Sequence, residues 1–451
     1  MRTLLLTAVI AAATAALPHA AAQDTPPPAA NASLLEAHFT ELQAQAEAGD
    51  LHACQQLYLR YAVEGRTDDA RRWAGRYNEL LTKQADSGDT RAMLALGARY
   101  YTGADYTPQD TALAATWFSR AAEAGEASGA YMLGEVFAKQ GNTPSSRQAY
   151  AHAYELYTKR GDADPEALYW QGFMEQNGIG TPRQPESGIA KLNRAAELGS
   201  AWAAAQLFKT YMQGIGTPQD EAQALRFARS LADTKGEGTM AYVVATAYLT
   251  GRGVTPDAAL GEHYLDLAVR ACVPDAIYMK ANRLESAGKL AEAIPYYNQA
   301  ASMQQTEALV RMGVLLLHGS GELQADQARG LAMLEIAGSR FGSPHAAWEL
   351  AQYYTSIGEP ELADSWYATA VERGVPQAMA RRGLLHLIPG SNYSWSPTET
   401  IRWWRIGKQA HDPTCRLYLN LFYYAFIPLI LLLVFGLPVY MGRRLRRRAQ
   451  G

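Results

Sequence analysis

The sequence predicts an all-α fold, a right-handed α-solenoid of about ten helix–turn–helix repeats followed by one transmembrane helix. Three observations carry this prediction: a glycine that returns at near-constant spacing, small and bulky residues that keep fixed places around it, and a long uncharged run near the C-terminus. The chain has 451 residues, enough for several ordinary domains, but a repeat array needs no separate cores because each unit buries its face on the next.

The register is set by Gly65, Gly103, Gly141, Gly178, Gly214, Gly251, Gly288, Gly319, Gly358 and Gly390, whose spacings lie between 31 and 39 residues. That period belongs to helical hairpins rather than to propellers or leucine-rich arrays. Glycine suits the end of a first helix because a left-handed residue closes it without steric cost. Ahead of it come small residues that let helices approach closely, such as Ala92 and Gly97, Gly129 and Gly134, Ala167 and Gly172, Ala276 and Ala281, and Ala308 and Gly313. An aromatic often follows these, as Tyr100, Phe137, Tyr211, Tyr248 and Tyr354, on the same helical face. The second helix carries a bulky anchor followed by small residues, as in Trp117 with Ala121 and Ala122, or Leu192 with Ala195 and Ala196.

Connections come in two lengths. In most units the anchor lies 13 to 15 residues beyond the glycine, through loops such as GIGTPRQPES and GRGVTPDAAL; after Gly65, Gly288 and Gly358 the gap to Trp73, Tyr296 and Trp366 is eight. Asp110, Asp220 and Asp257 fall at equivalent places in the long loops, where a carboxylate caps the second helix. Two features break the pattern: the stretch GNTPSSRQAY after Gly141, read as a rewritten loop, and Glu175 where an aromatic is expected.

The pieces LGxxYxxGxGxxxD and AxxWFxxAAExG resemble Sel-1-like repeats, and the short units resemble their tetratricopeptide relatives, over about Leu51 to Asp412. The resemblance implies a non-catalytic scaffold or adaptor for protein–protein interactions. Similar envelope proteins work in exopolysaccharide (alginate-like) synthesis and export complexes; similar eukaryotic proteins are membrane quality-control adaptors of the endoplasmic reticulum. A polysaccharide-binding or modifying envelope protein is the third reading.

Both ends read as targeting segments. Residues 1–22 hold Met1-Arg2, an apolar alanine-rich run and Ala20-Ala21-Ala22, which together form a signal peptide; 23–33 is a proline-rich linker, and 34–50 a capping helix for the array at 51–412. Residues 417–440, LYLNLFYYAFIPLILLLVFGLPVY, are uncharged over the ~20 residues that a transmembrane helix needs. Residues 441–451 form a basic tail in which Arg443, Arg444, Arg446, Arg447 and Arg448 point to the cytoplasmic side. The expectation is therefore a single-pass inner-membrane protein with its repeats in the periplasm and protein partners in a membrane or envelope complex. Asn31-Ala-Ser33 and Asn392-Tyr-Ser394 are the sequons that a glycosylated alternative would use.

Chemistry is sparse. A net charge of −3 gives no basic bias, so nucleic acid is not an expected partner. Cys54, Cys272 and Cys415 are too scattered for a metal site, and the histidines lack metal-ligand spacing, so no metal, cofactor or catalytic residue is assigned. The paired glycines of GIG and GRG follow a helix in register with the repeat, unlike a phosphate-binding loop. Partner binding is assigned to aromatics outside the core pattern: Tyr393 and Trp395 in the insert PGSNYSWSPT, then Tyr101, Tyr131, Tyr169 and Tyr242.

Overall fold

The computed structural model describes residues 39–104, 106–321, 323–387, 396–428 and 432. Those residues are helical throughout, apart from turns and an isolated bridge between Ser320 and Leu323. They divide into two compact units, one ending at Lys235 and the other beginning at Gly236.

In the first unit a leading helical stretch, 39–47, buries Leu42 and Ala46 in the core of the first helix pair, with the Phe39 ring 5.4 Å from Tyr61. Five pairs follow: α1 (Leu51–Val63) with α2 (Thr67–Asp86), α3 (Thr90–Thr102) with α4 (Thr111–Glu123), α5 (Ala127–Lys139) with α6 (Thr143–Lys159), α7 (Pro165–Asn177) with α8 (Pro185–Glu197), and α9 (Ala201–Gln213) with α10 (Glu221–Lys235). The second unit holds α11 (Gly238–Thr250) with α12 (Ala258–Arg270), α13 (Pro274–Ser286) with α14 (Leu290–Ser302), and α15 (Thr306–His318) with α16 (Gln327–Glu335), which runs on into a π turn at Ile336–Arg340. It continues with α17 (Pro344–Ser356) and α18 (Pro360–Glu372), α19 (Gln377–Leu385) and α20 (Pro397–Gln409), and finally α21 (Pro413–Leu421).

The register glycines from Gly65 to Gly358 all have positive φ, between +67° and +79°; Gly390 lies outside the described residues. In the long connections the amide of the residue capping the second helix returns to a carbonyl near the end of the first, as from Asp110 to Tyr100 (2.9 Å), Asp220 to Tyr211 (2.9 Å) and Asp257 to Tyr248 (3.1 Å). Their carboxylates cap the helices, Asp110 accepting from Leu113 N at 2.9 Å and Asp257 from Leu260 N at 3.0 Å. The connection after Gly141 is of the short kind. Asn142 caps α6 by accepting from Ser145 N, and Pro144 sits in the first helical turn, where no amide donor is needed, so most of GNTPSSRQAY is helix rather than loop.

Within a pair the two backbones come nearly into contact. A Cβ on Gly172 would stand 2.7 Å from the Gly188 carbonyl oxygen, and one on Gly188 would stand 2.6 Å from the Gly172 carbonyl oxygen. A second turn register closes the second helices, through Gly49, Gly88, Gly125, Gly161 and Gly199 in the first unit and Gly342 and Gly374 in the second. Cys272, Gln304 and His411 hold the same left-handed conformation, at φ +56°, +63° and +63°, without being glycine.

The C-terminal expectation needs correction. Among the described residues no helix is long and apolar enough to cross a membrane, which overturns the single-pass inner-membrane placement with periplasmic repeats and a cytoplasmic tail. The start of the apolar run is amphipathic: α21 buries Cys415 and Leu419 against Trp404, leaves Leu417 and Leu421 54% and 51% exposed, and gives way to a π turn at Phe422–Phe426. It packs on α20 and α19. Residues 429–431 and 433–440, the arginines of 441–451, the signal peptide at 1–22 and the linker at 23–33 lie outside the described residues.

Two substitutions test the packing account. Gly172→Ala forces the α7 and α8 backbones apart and is expected to cost about 1–3 kcal/mol, whereas Gln304→Gly relieves a left-handed residue and is expected to gain about 0.5–1 kcal/mol. Denaturant titrations of the full chain, read by circular dichroism, would show opposite shifts of the midpoint.

Candidate protein-interaction face

Counting along each first helix brings out a shared place. The fifth residue is Tyr131 in α5, Tyr169 in α7, Tyr242 in α11, Tyr278 in α13 and Trp348 in α17. Because the small residues that seat each helix recur at fixed offsets, equivalent side chains emerge on one face of successive first helices.

In the first unit packing absorbs this face. Tyr131 and Tyr169 are 3% and 8% exposed. Their rings close on Trp170, at 4.7 and 5.2 Å, and Tyr169 also stacks toward Phe173 at 6.2 Å. Burial pushes the Tyr169 phenol up to about 12 and Tyr131 higher still, where the nearby Glu135 and Tyr169 add to it. All of Ala167 to Gln176 is buried, so α7 is enclosed on every side. Tyr101 lies at the end of α3, half-buried, with the Lys139 ammonium 4.7 Å from its ring centre. Tyr393 and Trp395 lie outside the described residues.

Glu175 belongs to this enclosed region. It accepts from the Tyr154 hydroxyl at 2.5 Å and pairs with the Lys191 ammonium, tying α6, α7 and α8 together. Burial by itself would raise its carboxyl, but the hydrogen bonds from Lys191 and Tyr154 outweigh it and hold the group below the ordinary range. Beside it the Gln176 amide donates to Thr210 Oγ1 at 2.9 Å and accepts from Gln206 at 3.0 Å, joining α7 to α9.

In the second unit the same face stays partly open. Tyr242, Tyr278 and Trp348 are half-buried, with Tyr278 5.9 Å from Tyr297 and Trp348 5.7 Å from Tyr367. Polar side chains lie between them. Gln305, nine-tenths buried, caps α15 through its carbonyl, which accepts from Ala308 N at 2.6 Å, while its amide donates to Asp275 of α13 at 3.3 Å and to Glu307 of α15 at 2.6 Å. Burial, then the charges of Asp275 and Glu307, push the Tyr242 phenol up. Burial likewise raises the Glu349 carboxyl, against the influence of His318, His345 and Arg311. Glu285 accepts from Arg311 Nε at 3.1 Å and from the Tyr297 hydroxyl at 2.6 Å; the guanidinium, opposed by burial and helped by Tyr297, keeps this carboxyl low.

At the far end Leu384, Leu387, Trp404, Tyr418, Leu421, Phe422 and Ala425 line an apolar groove of about 300 Å³. Among the described residues no group of three or more His, Cys, Asp or Glu side chains could hold a metal ion. Cys54 and Cys415 are buried thiols, and Cys272 is exposed.

Sequence reasoning did not single out Tyr278, Trp348 or Trp202, the last of which is 52% exposed at the second place of α9. The signal was available for the first two, since Ala276 and Ala346 fix the helix register in which each stands fifth.

The class follows from the stacked pairs and their two kinds of turn. A Sel1 repeat model matches residues 90–126, 165–200, 203–233, 240–271 and 306–340, and a tetratricopeptide repeat model matches 274–307, the short pair α13 and α14. The chain carries Sel1 and tetratricopeptide-like repeats in an all-helical repeat solenoid. Among solved structures it is similar to c5321, a protective antigen of uropathogenic Escherichia coli displaying an SLR fold, at 22% identity over 86% of this chain and 82% of that one, with a TM-score of 0.55. A Sel1 repeat protein from Oxalobacter formigenes matches at 20% identity over 91% of this chain and 99% of that one, with a TM-score of 0.35. Repeat proteins of this kind bind protein partners, and such scaffolds are typically non-catalytic.

The Glu285 cluster makes a pH prediction. A carboxyl held low in the folded chain contributes stability that is present above its unfolded value of about 4.3 and is lost as pH falls through the folded value. Glu285→Gln is therefore expected to lower the melting temperature at pH 7, and its difference from wild type to close below about pH 4. Thermal melts of both proteins at pH 7, 5 and 3.5 would check this.

Proposed function

We propose that this protein is a non-catalytic scaffold that seats an extended segment of a partner protein along the first helices of its second unit. The supporting observation is the aromatic fifth residue, repeated as Tyr242, Tyr278 and Trp348 and left half-buried, whereas its counterparts Tyr131 and Tyr169 are enclosed. Half-buried tyrosine and tryptophan offer large, rigid contact area at low entropic cost, which is what recognition of an extended chain requires. Backbone hydrogen bonding is already satisfied inside the helices, so side chains supply the specificity.

The test is site-specific crosslinking in cells. A photoreactive residue placed at Tyr278 or Trp348 is expected to capture a protein, and one placed at Glu292 or Glu361 on the exposed side of a second helix is expected not to. Equal capture from both sets, or none from the first, would remove this face from consideration.

A further inference from the structure

The far end of the second unit differs from the rest of the chain in charge. Residues 377–428 carry six arginine and lysine side chains against Glu399 and Asp412, a surplus of four in a chain whose net charge is −3. Both acids are already used: Glu399 pairs with Arg402 at 3.2 Å, and Asp412, 3% exposed, caps α21 by accepting from Cys415 N at 2.7 Å. Arg382 is held by Asp364 and lies over the Trp403 ring. Arg381, Arg405, Lys408 and Arg416 are exposed and form no ion pair among the described residues.

These cations border the apolar groove at Trp404. Arg381 stands one helical turn ahead of Leu384 and Lys408 one turn beyond Trp404, each on the helix side of a groove-lining residue, and Arg405 donates to the Tyr423 hydroxyl at 2.8 Å, beside Phe422. The groove itself, about 300 Å³, is lined without a charged side chain. Its outer wall continues onto Leu417, Leu421 and Tyr424, which are 54%, 51% and 82% exposed and recur at the spacing of one helical face. An apolar wall with a rim of one sign is an interaction surface rather than a scatter of surface leucines.

Charge decides among the occupants. A second copy docked through the same face would bring these cations against their own counterparts, and residues 441–451 of this chain would add five more arginines. A partner with carboxylates at the rim meets both requirements, since its apolar side chains fill the groove while its acids meet arginine and lysine through charge-assisted hydrogen bonds. An extended strand would leave backbone groups unpaired against an apolar wall, whereas a helix satisfies its own backbone and presents an apolar stripe between two polar flanks.

We propose that the groove at Trp404 receives an amphipathic helix of a partner protein whose apolar stripe is flanked by aspartate or glutamate. This contact is separate from the seat for an extended segment along Tyr242, Tyr278 and Trp348, and either can fail without the other.

The probe is a fluorescein-labelled helical peptide with leucines along one face and glutamates beside them, together with versions in which glutamine or lysine replaces the glutamates. With the full chain at low salt, fluorescence anisotropy is expected to show the glutamate peptide binding about tenfold tighter than the glutamine one, the lysine one weaker still, and the difference shrinking as salt is added. The double variant R405Q/K408Q is expected to remove most of the glutamate preference while leaving the affinity for the glutamine peptide in place. Leu421→Ser, at an exposed lining position, is expected to weaken every peptide about tenfold. Circular dichroism melts of both variants are expected to match wild type. Failure of the glutamate peptide to bind, equal binding of the glutamate and lysine peptides, or binding that ignores both variants overturns the proposal. So does capture of the chain by phosphatidylglycerol vesicles without binding of the glutamate peptide, which would assign the groove to an anionic lipid surface.

Discussion

The structure depends on how closely two helices can approach. Where Gly172 faces Gly188, a single added methyl on either would overlap the other's carbonyl oxygen, and the same contact recurs where Gly313 faces Gly330. Backbones held this near leave no freedom for one helix to roll on the other. Rotation about each helix axis is thereby fixed, and with it the direction in which every side chain leaves. A fifth residue can form a row only because this constraint repeats.

The two units put the same row to different ends. In the first, the place is filled with aromatics on α5 and α7 and then sealed by Trp170, Phe173 and the glutamine contacts between α7 and α9, so the rings become core. Enclosing α7 also encloses Glu175, and an enclosed carboxylate requires a cation and a donor, which Lys191 and Tyr154 supply. In the second, α11, α13 and α17 keep their rings half in solvent, and the intervening acids are held differently: Glu285 by Arg311, Asp275 and Glu307 in the first turns of their own helices and joined by the Gln305 amide. Burial and electrostatics thus separate a structural use of the register from a surface use.

Much of the helix pairing was legible because it is written in local signals, a glycine that needs positive φ, an aspartate that caps, and an alanine that allows approach. The α6 start was obscured because Pro144 reads as a breaker, although in a first turn it costs nothing. The run from Leu417 was misleading for a related reason: its letters are apolar, but Cys415 and Leu419 face Trp404, and only the packing reveals that one side has a neighbour. The convergence of Asp275, Gln305 and Glu307 was not readable, since about thirty residues separate the first from the other two and nothing in either stretch refers to the other. Long-range polar contacts are set by where helices end up, whereas turns and caps are set by their own few residues.

The long connections carry one more consequence. The amide of Asp110, Asp220 or Asp257 reaches back to the carbonyl of Tyr100, Tyr211 or Tyr248, so the two ends of each loop are clasped independently of what lies between. Loop-closure entropy grows slowly with length, so the clasp itself tolerates added residues. The loop between α9 and α10 also leans on the preceding pair, a Cβ on Gly216 standing 2.5 Å from Pro185 Cβ and the Gln176 amide donating to the Ile215 carbonyl at 3.1 Å. A long connection of this kind couples one pair to the next, so an insertion is absorbed only on the side of the loop that faces away from that neighbour.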